Sequence, residues 1–196
     1  SFLFDTVIID EGQDFSDQWR DFIFRHARPN ARMLWLEDPM QNLYGKASVP
    51  LEGWLTMHAR SNYRSPRPIV HLLQSMLSAD LEIEARSPIE ADEVDILTYQ
   101  DTAGLYQSVK EAIRNCYSAG FKKKDIAIVS YHGREKSNLM HLDSLGQTTL
   151  RRFSGEYDLF GQPVFTDGEI LLESVYRFKG QAAPAIRASA LGMHFP

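Results

Sequence analysis

Two short apolar runs in this 196-residue chain each end in a pair of acids. Thr6-Val7-Ile8-Ile9 leads into Asp10-Glu11, and Arg32-Met33-Leu34-Trp35-Leu36 leads into Glu37-Asp38. A β-branched apolar run of this kind reads as a buried parallel strand. In an open α/β sheet such a strand delivers its last side chains to the edge where ligands bind. Adjacent carboxylates there suit nucleotide hydrolysis. Asp10 would help hold Mg²⁺, commonly through water, and Glu11 would orient or deprotonate the attacking water. The same residues also describe a strand end followed by a solvated helix cap. The trailing Gln13-Asp14-Phe15 tips the reading towards chemistry.

Two further groups follow. The turn Asp38-Pro39-Met40-Gln41-Asn42-Leu43-Tyr44-Gly45 carries a glutamine, Gln41, placed to sense a terminal phosphate, and an aromatic, Tyr44. Its plainer reading is a polar loop with a packed tyrosine. Asn62-Tyr63-Arg64-Ser65-Pro66 sets an arginine just before a helix start, where it can offer charge to a transferring phosphoryl group. Taken singly, Ser65 as a helix cap beside a surface arginine is the better explanation of that segment.

In this order and spacing the three groups resemble motifs II, III and IV of superfamily 1 DNA helicases of the UvrD/PcrA-like kind. The family patterns are D-E-x-Q-D, G-D-x-x-Q-x-I-Y and N-Y-R-S. Downstream, the segment from Asp167 to Gln181, with Ser174-Val175-Tyr176-Arg177-Phe178-Lys179-Gly180 at its heart, is similar to motif V, T-x-H-x-x-K-G-L-E. The resemblance runs from Asp5 to about Ile186. It implies an α/β fold of the P-loop NTPase (RecA-like) type with a parallel sheet in two lobes, the first incomplete. Residues 1–80 would be the C-terminal part of the first lobe, and residues 81–196 the second. It further implies ATP and Mg²⁺ as cofactors. Asp10 would serve the metal, Glu11 the water, and Gln41 and Arg64 the γ-phosphate. Tyr44, Ser174, Tyr176, Lys179 and Gly180 would lie near single-stranded or forked DNA.

The match has gaps. The phosphate-binding loop G-x-x-x-x-G-K-[ST] is absent from this sequence. Gly45-Lys46-Ala47-Ser48 imitates its end, but Met40 stands where the first glycine belongs. The chain reads as the interior of something longer, and its own preceding segment is expected as a partner. Glu37 replaces the glycine of motif III, Tyr176 the histidine of motif V, and Ala182 its glutamate. Gly12 for the family's common alanine is expected to be harmless. Those departures favour the alternative: a non-catalytic, helicase-like scaffold that binds nucleic acid or protein. About forty residues separate Ile126–Val129 from motif V, too few for the large accessory subdomain the family often inserts.

The elements that must hold these residues read as alternating strands and helices. Ser16-Asp17 caps a helix carrying Trp19, Phe22, Ile23 and Ala27, stopped by Pro29-Asn30. Pro66 opens a helix with Ile69, Val70, Leu73, Met76 and Leu77 on one face. Eight acids against one base, Arg86, mark residues 80–101, with Ala79–Glu93 as the crossing between lobes. Val94–Leu97 alternates like a strand. A helix follows with Leu105, Val109, Ala112, Ile113 and Cys116 on one side and Gly120 near its stop. Ile126–Val129 is a buried strand, Thr149–Gly168 a hairpin or irregular loop, and Glu169–Val175 the last clear strand. The tail from Ala182 shows no usable pattern.

Composition bounds the rest. Hydrophobic residues make up 43% and charged residues 24%, with a net charge of −5. A globular core is affordable, and a uniformly basic nucleic-acid coat is excluded. The single cysteine, Cys116, forms no internal disulfide and reads as a packing residue, so a reducing cytoplasm is expected. No apolar stretch spans a bilayer. Lys122–Lys124 reads as a solvated loop; Arg134, Lys136, Arg151 and Arg152 fit either the border of a DNA channel or solvated surface. His132 and His141 lack zinc spacing. Trp35 and Trp54 are assigned to the core, Trp54 just ahead of a strand. A first lobe without its neighbouring strand would keep an open edge and an uncovered apolar face, and so self-associate or stay mobile.

Overall fold

Thr6, Val7 and Ile8 favour extended backbone, and they form strand β1 (Phe4–Ile9) in the computed structural model, which describes residues 3–76 and 83–189. The chain is α/β and divides into two compact units, Ser1–Asp92 and Glu93–Pro196.

In the first unit, helix α1 (Asp17–Phe24) starts where Ser16 Oγ accepts the Trp19 N–H at 3.4 Å. It ends at Phe24, not at Pro29-Asn30 as the sequence suggests, because Ala27 already faces Phe4 in the sheet. Strand β2 (Ala27–Trp35) runs parallel to β1. Phe4 lies opposite Ala27 and Thr6 opposite Arg32, so β2 bulges between them. Pro29, which has no N–H to give a ladder, sits in that bulge.

The β1–β2 sheet has two strands only. The expectation of buried strands is therefore corrected: Ile9 is the one buried residue of β1, and β2 has none. Ile8, Phe22, Trp19 and Phe4 are more than half exposed. Parallel strands normally have both faces covered; here the described residues of this unit bury only Ile9, Val49 and Val70 among hydrophobics.

Further along lie β3 (Ser61–Asn62), α2 (Arg67–Met76) and β4 (Glu84–Ala85). β4 pairs parallel with β3 within the first unit. Val70 anchors α2 and is fully buried, while Ile69 and Met76 are exposed; Leu77 lies outside the described residues. Trp54 stacks on Phe24 at 5.7 Å between centroids, but the next strand after it begins only at Ser61.

The second unit is built on α3 (Thr102–Ser118) and a five-stranded sheet. Asp101 caps α3 by accepting the Gly104 N–H at 2.7 Å. The strands are β5 (Ile126–Ser130), β6 (Ser144–Leu145), β7 (Thr148–Arg151), β10 (Ile170–Ser174) and β11 (Ala185–Ser189). Between β7 and β10 stand β8 (Phe153–Tyr157) and β9 (Pro163–Phe165), an antiparallel hairpin; helix α4 (Val175–Phe178) follows β10.

The sheet order is β11-β5-β10-β7-β6. All neighbours are parallel except β6, which pairs antiparallel with β7. Every residue of β5 is buried. Leu105, Val109 and Ile113 of α3 pack on Ile126, Ile128, Leu150, Ile170 and Leu172, with Leu139, Met140 and Leu145 completing the core. Each such side chain contributes about 1.5–3 kcal/mol on burial.

Two expectations fail here. Val94–Leu97 joins no sheet, and Ile96 is 72% exposed: alternation without a neighbouring strand leaves the backbone unpaired. Glu169–Val175 is not the last strand, since β11 forms from the tail that shows no pattern. Ala185-Ile186-Arg187-Ala188-Ser189 has weak intrinsic strand preference, and its place is set by the edge of β5.

Candidate functional site

In the first unit, β1 and β2 end side by side, Ile9 opposite Trp35. The ladder continues one step beyond them. Leu36 N donates to Ile9 O at 2.9 Å and Gly12 N to Leu36 O at 2.8 Å. That brings Asp10-Glu11 and Glu37-Asp38 to the same end of the sheet.

The turn after β1 is tight. Glu11 has φ 55° and ψ 41°, the sole positive φ outside glycine among the described residues. For a residue with a Cβ this left-handed conformation costs about 1–2 kcal/mol. Such strain concentrates at functional turns. Asp10 Oδ1 accepts the Glu11 N–H at 2.9 Å, and a 3-10 turn, Gly12–Asp14, follows.

Gln13 then joins the two strand tips. It is 5% exposed. Its Nε2 donates to Glu11 Oε2 at 2.5 Å, and its Oε1 accepts the Asp38 N–H at 2.9 Å. Asp38 Oδ2 in turn accepts from Gln41 Nε2 at 2.8 Å, while its Oδ1 caps the Pro39–Gln41 turn through Met40 N at 3.0 Å. An unbroken line of bonds therefore runs Glu11–Gln13–Asp38–Gln41. Sequence marks all four residues, Gln13 as the polar residue two places past the acid pair and Asp38 as the second acid of its own pair, but gives a chemical role only to Glu11 and Gln41.

Gly12 is not interchangeable with alanine. A Cβ there would lie 2.1 Å from Trp35 Nε1 and 2.5 Å from Cε2. Trp35 cannot yield easily, for Phe15 packs on its ring at 5.6 Å between centroids and Glu37 Oε2 accepts its Nε1–H at 3.1 Å. The absence of a side chain at Gly12 is what lets the Trp35 ring lie over this turn. Glu37 serves as the acceptor that holds Trp35.

The loop after Gln41 closes on itself, with Asn42 Oδ1 accepting the Lys46 N–H at 3.0 Å and Asn42 Nδ2 donating to Lys46 O at 2.6 Å. Tyr44 rides on it, 55% exposed. Lys46 reaches back to donate to Asp14 O and lies 5.3 Å from the Trp19 ring centroid. Its role is to tie the loop to the first turn. Arg64 is set by a separate device. Asn62 Oδ1 accepts from Arg64 N at 3.0 Å and Ser65 N at 2.8 Å, which folds the chain into α2 with the Arg64 side chain exposed.

In the second unit, the three adjacent strands β11, β5 and β10 end in serine. Ser130 of β5 is in register with Ser174 of β10 and Ser189 of β11, and all three are buried. Ser130 Oγ donates to Ser137 Oγ at 2.8 Å. Small polar residues at a sheet's carboxyl edge leave its backbone approachable. Ser174 is thus at the sheet edge, and α4 carries Tyr176 straight out of it, 39% exposed. Lys179 caps α4, its N–H on Val175 O at 3.0 Å, and Gly180 follows at φ 79°, a conformation that suits glycine.

Beside them, Glu173 is 2% exposed. Its Oε1 accepts the Ser174 N–H at 2.9 Å and its Oε2 accepts from Arg177 Nε at 3.3 Å. Burial works against the Arg177 charge, but the Tyr157 hydroxyl and the Glu173 carboxylate outweigh it and hold the guanidinium above its ordinary value. Of the basic residues named for a channel, Arg152 pairs with Asp143 at 2.5 Å and Arg151 lies over Phe165; Lys123, expected in a solvated loop, pairs with Glu169.

Among the described residues no group of three or more His, Cys, Asp or Glu side chains stands ready to hold a metal, and no helix is long and apolar enough to cross a membrane. Neither models of known protein families nor the curated proteins yield a match to this chain.

Proposed function

We propose that this chain is the C-terminal portion of an ATP-dependent DNA helicase or translocase of the superfamily 1, UvrD/PcrA-like kind, with RecA-like lobes. The observation that carries the reading is the bonded line Glu11–Gln13–Asp38–Gln41 across two parallel strand tips. A scaffold has no chemical need to tie an acid on one strand to a glutamine on the next. A motor needs that coupling, because a residue that senses the terminal phosphate must report to the residue that handles the water.

Asp10 is exposed at the strand end and offers carboxylate oxygen, the ligand Mg²⁺ prefers. A bound Mg²⁺–ATP would supply an electrophilic phosphorus with its charge partly neutralised. In this chain Asp10 would hold the metal's water shell, Glu11 would take a proton from the attacking water, and Arg64 would face the developing charge. The backbone cradle for the triphosphate is not encoded in these residues, so hydrolysis needs a segment bearing that loop. Ser174, Tyr176, Lys179 and Gly180, with Tyr44, would contact single-stranded or forked DNA, and lobe closure on ATP would change that grip.

The second reading, a non-catalytic scaffold binding nucleic acid or protein, is favoured by Ala182 in place of an acid and by the structural duty of Glu37 towards Trp35. One experiment separates the two. In the intact parent, Glu11→Gln is expected to reduce DNA-stimulated ATP hydrolysis by about 10²–10⁴-fold. Unchanged turnover in that variant leaves the scaffold reading standing.

A further inference from the structure

The β8–β9 hairpin is tied to the DNA-contact segment by one arginine. The Arg177 guanidinium lies 3.7 Å from the Phe153 ring centroid, and its Nη1 donates to the Tyr157 hydroxyl at 3.3 Å. Its Nε is held by the buried Glu173 carboxylate. Phe153 and Tyr157 share a face, their centroids 5.3 Å apart, and Phe165 joins them at 6.4 Å from Phe153. Arg134 closes over the same face, 5.8 Å from the Phe153 centroid, with Nη2 donating to Ser154 O at 2.9 Å. Gly155, at φ 105°, makes room for it: a Cβ there would lie 2.7 Å from Arg134 Nη1.

The charges on this face favour an anion. Arg134 and Arg177 both lie against Phe153, and Lys179 is two residues beyond Arg177. The acid in contact with Arg177, Glu173, is buried and engaged by Arg177 and Ser174 N. Asp158 at the hairpin tip is spent on the turn, its Oδ1 accepting from Phe160 N and Gln162 N at 2.8 Å each. Glu156 is the remaining hairpin carboxylate. Tyr157 is 59% exposed on one side of Arg177, and Tyr176, its chain neighbour, is 39% exposed.

We propose that Tyr157 and Tyr176, spaced by the pinned Arg177 guanidinium, form one base-stacking platform for single-stranded nucleic acid, with Arg134 and Lys179 meeting its phosphates. Aromatic rings flanked by cations bind a strand without regard to sequence, each base stacking on a π face. Arg177 acts as a positioning residue here, since its own charge is largely answered within the protein. The inference rests on the nucleic-acid reading of the 174–180 segment and adds the hairpin to it.

The test is binding of a short fluorescent oligothymidylate to the full chain, followed by anisotropy at low salt. Tyr157→Leu keeps apolar bulk at an exposed position and removes the π face; its affinity is expected to fall about ten-fold. Tyr157→Phe should bind within a factor of about two of the unaltered chain, because the ring is kept. An oligonucleotide containing 2-aminopurine should be quenched by the unaltered chain and by Tyr157→Phe, and less so by Tyr157→Leu; a role confined to folding would not follow the ring in this way. Unchanged affinity and quenching in Tyr157→Leu, beside a loss in Tyr176→Leu, would mean that the hairpin faces a protein instead, and would overturn the platform while leaving the nucleic-acid reading intact. No binding by the unaltered chain would overturn both.

Discussion

Gln13 Oε1 accepts the backbone N–H of Asp38 at 2.9 Å, across twenty-five positions of sequence, while the other end of the same amide holds Glu11. Both ends of a buried amide are therefore committed to opposite strand tips. Replacing it by leucine keeps the volume and removes both bonds. Gln13→Leu is expected to destabilise the first unit by about 1–3 kcal/mol, the penalty for stranding a buried donor. Amide exchange at Asp38 reads this directly. If that amide keeps its protection in the variant, the bond is not what holds the tip.

Gly12 and Trp35 form the second joint of the same corner. Gly12→Ala forces the indole off Phe15 and is expected to cost about 1–3 kcal/mol. A smaller ring should relieve it, so Gly12→Ala combined with Trp35→Leu should be less destabilised than the two single changes added together. Strict additivity in a urea-unfolding cycle would show that the indole moves aside freely.

The two units should respond oppositely to loss of apolar side chains. Leu172 is fully buried in the second unit, and Leu172→Ala is expected to cost about 2–5 kcal/mol. Ile8 is 63% exposed, and Ile8→Ser should stay within about 0.5 kcal/mol. Its effect should instead appear in association. Strand β1 and helix α1 offer Phe4, Ile8, Phe22 and Ile23 as one apolar trough, a surface of the kind that pairs with itself or another chain. Sedimentation should show self-association of the unaltered chain that weakens in Ile8→Ser. A clean monomer in both would remove that expectation.

Burial pushes the Cys116 thiol above its ordinary range, outweighing the nearby Arg187 charge. The folded protein thus favours the protonated thiol. This contributes stability that is fully present below the unfolded thiol's pKa of about 8.5 and declines as pH rises through the higher folded value. At neutral pH alkylation should be slow, accelerating on unfolding. Reaction at the rate of a free thiol would place Cys116 outside the packed face of α3.

Lys123 and Glu169 form an exposed ion pair, and its hydrogen bond holds the Glu169 carboxyl below the ordinary range. The sign follows from a lowered folded pKa: the contribution is present above the unfolded pKa of about 4.3 and is lost as pH falls through the folded value. The pair is solvent-screened, so the effect should be small and diminish in salt. Thermal melts of Glu169→Gln and the unaltered chain should converge at low pH; a gap that persists there would assign the residue another role.

Some features were written in the chain locally. The β-branched run of β1 and the apolar spacing of α3, with its Asp101 cap, needed no distant partner to be read. Neither did the continuous apolar run of β5, or Pro66 ahead of α2. So did the acids Asp10 and Glu11 at a strand tip, because side-chain placement at the end of a strand follows from the strand itself. What depended on contacts between remote residues was invisible. β11 exists because β5 offers it an edge, whereas Val94–Leu97, with the better alternation, found none. Gln13 became the link between strand tips only when β2 came to lie beside β1. Gly12 became obligatory only when Trp35 arrived over it, and Arg177 became a hinge for the hairpin only when Phe153 folded back onto α4. Hydrophobic period and capping act over a few residues, so one dimension carries them; hydrogen bonds and close packing between strands are made by neighbours that only folding chooses.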